Sequence, residues 1–213
     1  MGQIFSMDSK VIKVLTRIVD LVILNIIFLL SCIPIVTIGA SVTALYSVTL
    51  KMVKQEESYI VRSYFKAFKE NWKKATIIWL GLLAFGIILW FNNQISLQFS
   101  GMFHLILRTI FLLFQIVAMI IFAFVFPIMS KFENPVKNHL INSICMPCAS
   151  LYLMLIIMLI TYLPAVLMLC IPRVFLFGIY LMIMIWFALS AYINSIFFNK
   201  MFKQYISEEE NES

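Results

Sequence analysis

Two cysteines, Cys145 and Cys148, have the C-x-x-C spacing that thiol redox centres and zinc sites use. Redox pairs of this kind normally open a helix in a soluble thioredoxin-like fold, whereas this pair stands beside strongly apolar sequence. A zinc site needs two more ligands; His139 lies six residues upstream, and Cys32 and Cys170 are expected towards the opposite membrane face. We therefore interpret the thiols as small apolar packing groups, and we expect no metal and no cofactor.

A polar stripe is formed by His104, Arg108 and Gln115, whose spacings of four and seven residues place them on one face of a helix. Polar groups inside a membrane cost free energy and usually have a partner there. Two interpretations remain open. In one, Arg108 snorkels to the outer headgroups and Gln115 makes a helix–helix hydrogen bond. In the other, the stripe lines an outward-facing cleft that contacts a hydroxylated ligand or a partner helix.

A charged group near the start of the first apolar segment consists of Arg17 and Asp20, with Lys13 one turn earlier. Their spacing places them on one helical face. They form either an intramembrane ion pair at the cytoplasmic end of the helix, with snorkelling cations, or an inward-facing charged site.

Enzyme signatures are missing from the sequence, which contains no G-x-x-x-x-G-K-[ST], G-x-S-x-G or H-E-x-x-H motif. No carboxylate is predicted near the membrane midplane, where an ion-coupled transporter usually places an ionisable group. We therefore predict a protein without catalytic residues, and the same observation argues against a pump or symporter. A neutral sugar, however, does not require such a group.

The composition is that of a membrane protein, with 63% hydrophobic and 12% charged residues, whereas soluble domains are about a quarter charged. The net charge of +6 does not indicate a nucleic-acid partner, because the cations lie in short loops beside apolar runs. We predict one helical membrane domain over residues 1–204, followed by a short acidic tail, 205–213, that we expect to fray.

Six apolar segments approach the length of about 20 residues needed to cross a bilayer. They are residues 15–33, 34–53, 75–92, 103–128, 144–169 and 174–198. The first two are separated only by a predicted turn at Pro34, because proline disfavours helix just before itself. We predict a hairpin of two spans there; one long span followed by a re-entrant segment is the alternative. Pro147 is expected to start or kink the fifth span.

Lysine and arginine residues fix the predicted orientation, because they accumulate on the cytoplasmic side. They lie before the first span, between the second and third, between the fourth and fifth, and after the sixth. These loops and both termini are therefore predicted to be cytoplasmic. The residues concerned are Lys10, Lys13, Lys51, Lys54, Arg62, Lys66, Lys69, Lys73, Lys74, Lys131, Lys137, Lys200 and Lys203.

The longest charged segment, residues 53–72, predicts an amphipathic helix at the membrane interface. Its apolar arc should lie in the acyl boundary and its cationic stripe against anionic headgroups or an acidic partner. The fold class is therefore an all-α polytopic membrane bundle of about six transmembrane helices with a cytoplasmic amphipathic interfacial helix. The stripe is Arg62, Lys66, Lys69 and Lys73, and the arc is Ile60, Val61, Tyr64, Phe65, Phe68 and Trp72.

A block of small residues follows Pro34, in the sequence P-I-V-T-I-G-A-S of residues 34–41. Small residues such as Gly39 allow helix backbones to approach closely in a membrane. We expect tight packing of spans one and two, with Thr37 and Ser41 bonding back to backbone carbonyls that the break leaves free. A ligand-binding turn built from open backbone groups is the alternative.

Residues 15–80 resemble the YesL-like family of bacterial multi-spanning membrane proteins, a domain of unknown function. The matching features are Leu24-Asn25, the block 34–41, Ala44-Leu45-Tyr46 and the sequence F-K-A-F-K-E-N of residues 65–71. The resemblance implies a bacterial plasma-membrane protein, often encoded beside carbohydrate ABC importers and glycan-degrading enzymes. It implies no catalytic residue.

Three functions follow as expectations from the residues and the resemblance. The first is an accessory subunit or assembly factor for a carbohydrate ABC importer, with membrane lipids and the importer's permease or ATPase subunits as partners. The second is an autonomous transporter of a small molecule such as a sugar. The third is a membrane scaffold or sensor.

Overall fold

The computed structural model describes residues 2–56, 59–96 and 101–212, and every regular element in these ranges is helical. Two of the elements are short departures from α geometry, a 3₁₀ turn near residue 35 and a π-helix near residue 184. In chain order the elements are α1 (Gly2–Cys32), the 3₁₀ turn (Ile35–Thr37), α2 (Ile38–Lys54), α3 (Ile60–Ser96), α4 (Met102–Lys131), α5 (Val136–Ala149), α6 (Leu151–Cys170), α7 (Pro172–Leu181), the π-helix (Met182–Trp186) and α8 (Phe187–Glu212).

Six helical segments of the described chain are long and apolar enough to cross a membrane. Their outward surfaces carry large apolar side chains, as expected where the solvent is lipid. The prediction of an all-α, six-span bundle is confirmed, and the chain is an integral membrane protein. The segments are Val11–Cys32, Ile35–Lys54, Ile60–Ser96, His104–Lys131, Leu151–Met168 and Gly178–Ile206.

Helix α2 forms the centre of the bundle. Within its most apolar window 61% of the residues are buried, against 11% to 28% in the other five segments. It packs against α3, α4 and α8, so little of its surface is exposed to lipid. The core around it includes Leu24, Ala44, Met52, Phe124 and Phe198, all fully buried.

The break between α1 and α2 occurs at Pro34, as predicted, with backbone angles φ −75° and ψ 117°. The hydroxyl of Thr37 donates to the carbonyls of Ser31 and Pro34, both at 2.7 Å, and Ser41 donates to the carbonyl of Thr37 at 3.0 Å. The indole Nε1 of Trp79 donates to the carbonyl of Ile35 at 2.7 Å. These bonds add side-chain donors to the turn, in which the carbonyls of Pro34 and Ile35 also accept the backbone N–H groups of Thr37 and Ile38.

The amphipathic segment is not a separate helix, because α3 runs without interruption from Ile60 to Ser96. At about 1.5 Å per residue it is about 55 Å long, which exceeds the roughly 30 Å of a hydrocarbon core. The third span and the charged segment before it are therefore one element. Of the predicted segment, Val53 and Lys54 belong to α2, and residues 57 and 58 lie outside the described residues.

The predicted fifth span, 144–169, is wrong in its first residues. The chain breaks at Ser150, whose amide donates to the carbonyl of Pro147 at 3.1 Å, and α5 and α6 lie on either side of it. Pro147 thus belongs to the last turn of α5 and does not start the span; its missing N–H weakens the helix there.

At the C-terminal end of the chain, α8 continues to Glu212, so residues 205–212 are helical.

Candidate functional site

The first half of α3 presents a cationic face. Arg62, Lys66, Lys69 and Lys73 are all exposed on α3, as their spacing predicts. Lys66 approaches Glu70 one turn later at 4.0 Å, but both side chains are largely exposed, at 74% and 61%, so this pair contributes little to stability. The face therefore remains available to anionic groups outside the molecule.

The opposite face of the same half-helix is anchored in the protein. Tyr64 is fully buried and Ala67 is 4% exposed, whereas Phe65 and Trp72 are each 45% exposed. The Tyr64 ring stacks on Phe68 at 6.4 Å between centroids. The expectation that this arc lies in lipid is wrong for Tyr64, because the short connection from α2 folds the start of α3 back onto the core.

The predicted outer stripe of α4 is only partly assembled into a site. His104 Nδ1 lies 2.5 Å from the carbonyl of Ser96, which joins the start of α4 to the end of α3. Arg108 is exposed, and no hydrogen bond or ion pair to another described residue is seen. Gln115 lines a mainly apolar cavity of about 290 Å³ that also touches α3 and α6 through Trp79 and Tyr162. The structure thus separates Gln115 from the other two.

Arg17 and Asp20 line a second cavity, of about 540 Å³, together with Lys13, Gln55 and Tyr192. The guanidinium of Arg17 lies 5.9 Å from the centre of the Tyr192 ring, which is within reach of a cation–π contact. The cavity therefore joins the charged end of α1 to α8 and to the residue that follows α2.

Asn25 is a buried polar residue whose role the sequence did not reveal. Its amide nitrogen donates to the carbonyls of Met182 and Ile183 at 3.1 and 2.8 Å, and its oxygen accepts from the amide of Ala188 at 3.1 Å. A π-helix interrupts the regular hydrogen-bond ladder, and the side chain supplies partners there. Asn25 therefore connects α1 to the π-helix.

A second polar cluster links α2, α6 and α8 within the core. The hydroxyls of Thr49 and Ser195 lie 2.8 Å apart, and the amide nitrogen of Asn194 donates to Thr161 at 3.0 Å and contacts the Tyr46 hydroxyl at 3.4 Å. Asn194 Oδ1 is buried without a partner among the described residues. Polar residues inside an apolar segment could have signalled this cluster, but the sequence did not pair them.

Gly39 lies where α2 closely approaches two neighbouring helices. A Cβ placed there would lie 2.6 Å from the carbonyl oxygen of Ala75, 2.7 Å from Trp79 Cβ and 3.0 Å from Phe126. The small-residue block therefore permits close packing, as predicted, but of α2 against α3 and α4. The hairpin led us to expect that the glycine packs against α1, but its nearest neighbours lie on α3 and α4.

The C-x-x-C pair does not pack in the core. Cys145 and Cys148 are exposed on α5, whereas Met146 and Pro147 between them are buried, so the interpretation of the thiols as packing groups is wrong. Among the side chains that the structure describes, no group of three or more His, Cys, Asp or Glu could hold a metal ion.

His139 is almost completely buried on α5, with 1% of its surface exposed, and its Nδ1 atom has no described hydrogen-bond partner. Burial lowers the pKa of its imidazole, and the nearby charge of Lys74 lowers that pKa further. A hydrogen bond with the backbone of Asn134 opposes the shift, and Lys74 donates to the same carbonyl oxygen at 3.2 Å.

One protein family matches part of the chain: residues 21–93 fit the family described as "Protein of unknown function, DUF624". The resemblance to the YesL-like family is consistent with this match. The matched segment contains Asn25, Gly39, Tyr64 and the cationic face of α3, whereas the stripe of α4 lies outside it. Searches of curated proteins and of solved structures found no match.

Proposed function

We propose that this DUF624 integral membrane protein is a non-catalytic accessory subunit or assembly factor of a bacterial carbohydrate ABC importer. The observation that carries the proposal is the cationic face of α3, displayed by a helix whose other side is anchored by Tyr64. The setting of the YesL-like family supports the choice of an importer as partner.

The anchoring of α3 suits it to dock a partner. A helix that is already ordered loses little conformational freedom on binding, so more of the contact energy appears as affinity. Importer permeases contact their ATPase through a short cytoplasmic helix, and the first half of α3 offers an analogous element with charge complementary to an acidic surface. The sequence lacks the E-A-A-type signature of a permease, so the proposed role is that of an additional subunit.

The proposal requires both termini and the cationic face to lie in the cytoplasm, with the protein in the plasma membrane. Single cysteines at Asn93 and Glu70, in a background without the four native thiols, test this orientation. An impermeant maleimide added to whole cells should label Asn93→Cys and leave Glu70→Cys unlabelled, and the reverse pattern would overturn the orientation.

Charge reversal tests the docking face. The triple variant Arg62→Glu, Lys66→Glu, Lys69→Glu should abolish co-purification of importer subunits in mild detergent and reduce uptake of one oligosaccharide. Lys137→Glu, Lys200→Glu, Lys203→Glu is the matched control, because it reverses three exposed cations elsewhere. Co-purification that survives the first triple variant, or is lost equally in the control, would contradict a specific docking face.

An autonomous transporter is the second candidate, and the cavity beside Gln115 is the observation that favours it. Sugar accumulation in proteoliposomes that contain this chain alone, without ATP, would contradict the accessory role and support an autonomous transporter. In that case Gln115→Ala should reduce transport. If the chain serves as a scaffold or sensor, deletion should leave uptake unchanged.

A further inference from the structure

A small polar cavity of about 190 Å³ lies where α2 and α4 end. It is lined by polar or charged groups with one apolar exception, Leu50, and it is separate from the cationic face of α3. The polar lining consists of Ser47, Lys51, Lys54, Glu56, Ser130, Lys131 and Asn199.

Positive charge is in excess in this cavity. Three lysines line it, against one carboxylate, that of Glu56. Lys54 at the end of α2 and Lys131 at the end of α4 line the cavity from two different helices, together with Glu56. Ammonium groups that share one small cavity repel each other, so the arrangement is unfavourable until an anion joins them.

Helix capping does not account for these lysines on α2. Gln55 adopts a left-handed conformation with φ 59°, and its amide donates to the carbonyl of Met52 at 3.2 Å. The amide of Glu56 donates to the carbonyl of Lys51 at 3.1 Å. The carbonyls of Lys51 and Met52 thus already have backbone donors, so the ammonium groups of Lys51 and Lys54 are not needed to cap them.

The cavity lies at the level where phosphate is abundant. Lys54 and Lys131 are the last residues of two of the membrane-spanning segments, so the cavity opens at the edge of the hydrocarbon core. Lipid phosphates occupy this layer, and lysine is a common phosphate ligand. The Ser47 hydroxyl and the Asn199 amide can donate to the remaining phosphate oxygens, whereas the Ser130 hydroxyl already donates to the carbonyl of Pro127 at 2.7 Å.

We propose that this cavity is a binding site for a phosphate group, held by Lys51, Lys54 and Lys131. The group is carried either by an anionic lipid headgroup or by a free phosphate. Glu56 weakens the site by its negative charge and so limits its affinity.

The test uses the full chain purified in neutral detergent and two probes. Phosphatidylglycerol, with phosphatidylcholine of the same acyl chains as the comparison, is counted by native mass spectrometry; inorganic phosphate is titrated in a thermal unfolding assay. Lys54→Gln/Lys131→Gln removes two charges from the site. Lys66→Gln/Lys69→Gln removes the same charge from the exposed face of α3 and is the matched control.

If the cavity binds phosphate, Lys54→Gln/Lys131→Gln should lower the affinity for whichever probe the wild type binds by roughly tenfold or more. The control variant should bind that probe with nearly unchanged affinity. Glu56→Gln should bind more tightly than wild type, a gain that misfolding cannot mimic. Retention of phosphatidylglycerol alone identifies a headgroup site, and stabilisation by inorganic phosphate identifies a site for the free ion. Equal losses in both double variants, or wild-type affinity in the site variant, would overturn the proposal.

Discussion

The side-chain amide of Asn25 donates a hydrogen bond to the backbone carbonyl of Ile183 at 2.8 Å, across 158 residues of sequence. The same side chain contacts Met182 and Ala188, so one fully buried residue of α1 serves both ends of the π-helix. A π-helix in a membrane span needs such a partner, because no water is present to satisfy the groups it leaves unpaired. The Leu24-Asn25 pair, one of the features shared with the YesL-like family, therefore supplies the side chain that holds α1 to the π-helix.

Replacement of Asn25 by leucine should destabilise the protein, because three backbone groups lose their partner while the branching and the number of side-chain heavy atoms are kept. The expected loss is about 1–3 kcal/mol. It would be measured as a lower midpoint of thermal unfolding in detergent. Asn92→Leu is the control, since among the described residues the amide of Asn92 donates within its own helix, to the carbonyl of Ile88 at 2.9 Å. Equal midpoints for the two variants would contradict the bridging role.

Replacement of Gly39 by alanine should be more damaging than its size suggests. The new methyl group would lie 2.6 Å from a backbone oxygen of α3, so the helices must move apart, at a cost of about 1–3 kcal/mol. Gly86→Ala should instead be neutral or stabilise by up to about 1 kcal/mol, because nothing lies within 4 Å of that position. Thermal unfolding of the two variants, side by side, checks the opposite signs.

Features that depend on local sequence could be predicted. Apolar run length indicated the number of spans, and Pro34 indicated the break between the first two, since both follow from the chemistry of adjacent residues. The spacing of Arg62, Lys66, Lys69 and Lys73 likewise indicated an exposed stripe on a helix, which the structure contains.

Features that depend on partners far away in the sequence could not be predicted from it. The polar bonds of Asn25 and Asn194 join segments more than 30 residues apart, and no periodicity reports such pairs. The sequence does not predict the continuity of α3, because a change from charged to apolar composition resembles the start of a new helix. Nor does it predict the burial of Tyr64, because an apolar arc looks the same whether lipid or protein covers it.

Replacement of Tyr64 by alanine should detach the first half of α3 from the core. The ring is fully buried, and the loss of a buried aromatic side chain costs about 3–5 kcal/mol in soluble cores. Limited proteolysis in inverted vesicles should therefore become faster between Ile60 and Trp72. Phe65→Ala is the matched control, because Phe65 is 45% exposed and should change the rate little. A larger effect at Phe65 would show that lipid, not protein, holds this helix.

His139 should make the stability of the protein depend on pH. Its pKa is lowered in the folded state by burial and by Lys74, whereas an unfolded histidine has a pKa of about 6.5. The unfolded chain therefore binds the proton more readily, so the folded state is favoured above pH of about 6.5 and loses stability as the pH falls below it. The unfolding midpoint of the wild type should drop between pH 7.5 and 5.5, and His139→Gln should drop less.

Two lysine variants separate the cause of that pH dependence from general charge effects. Lys74→Met removes the cation that faces His139, so the pKa of the imidazole should rise towards its ordinary value and the pH dependence should become weaker. Lys137→Met removes an exposed cation from α5 itself and should keep more of the wild-type slope. If His139→Gln retains the full slope, another group is responsible. If only Lys137→Met flattens it, Lys74 is not the charge that acts on the buried ring.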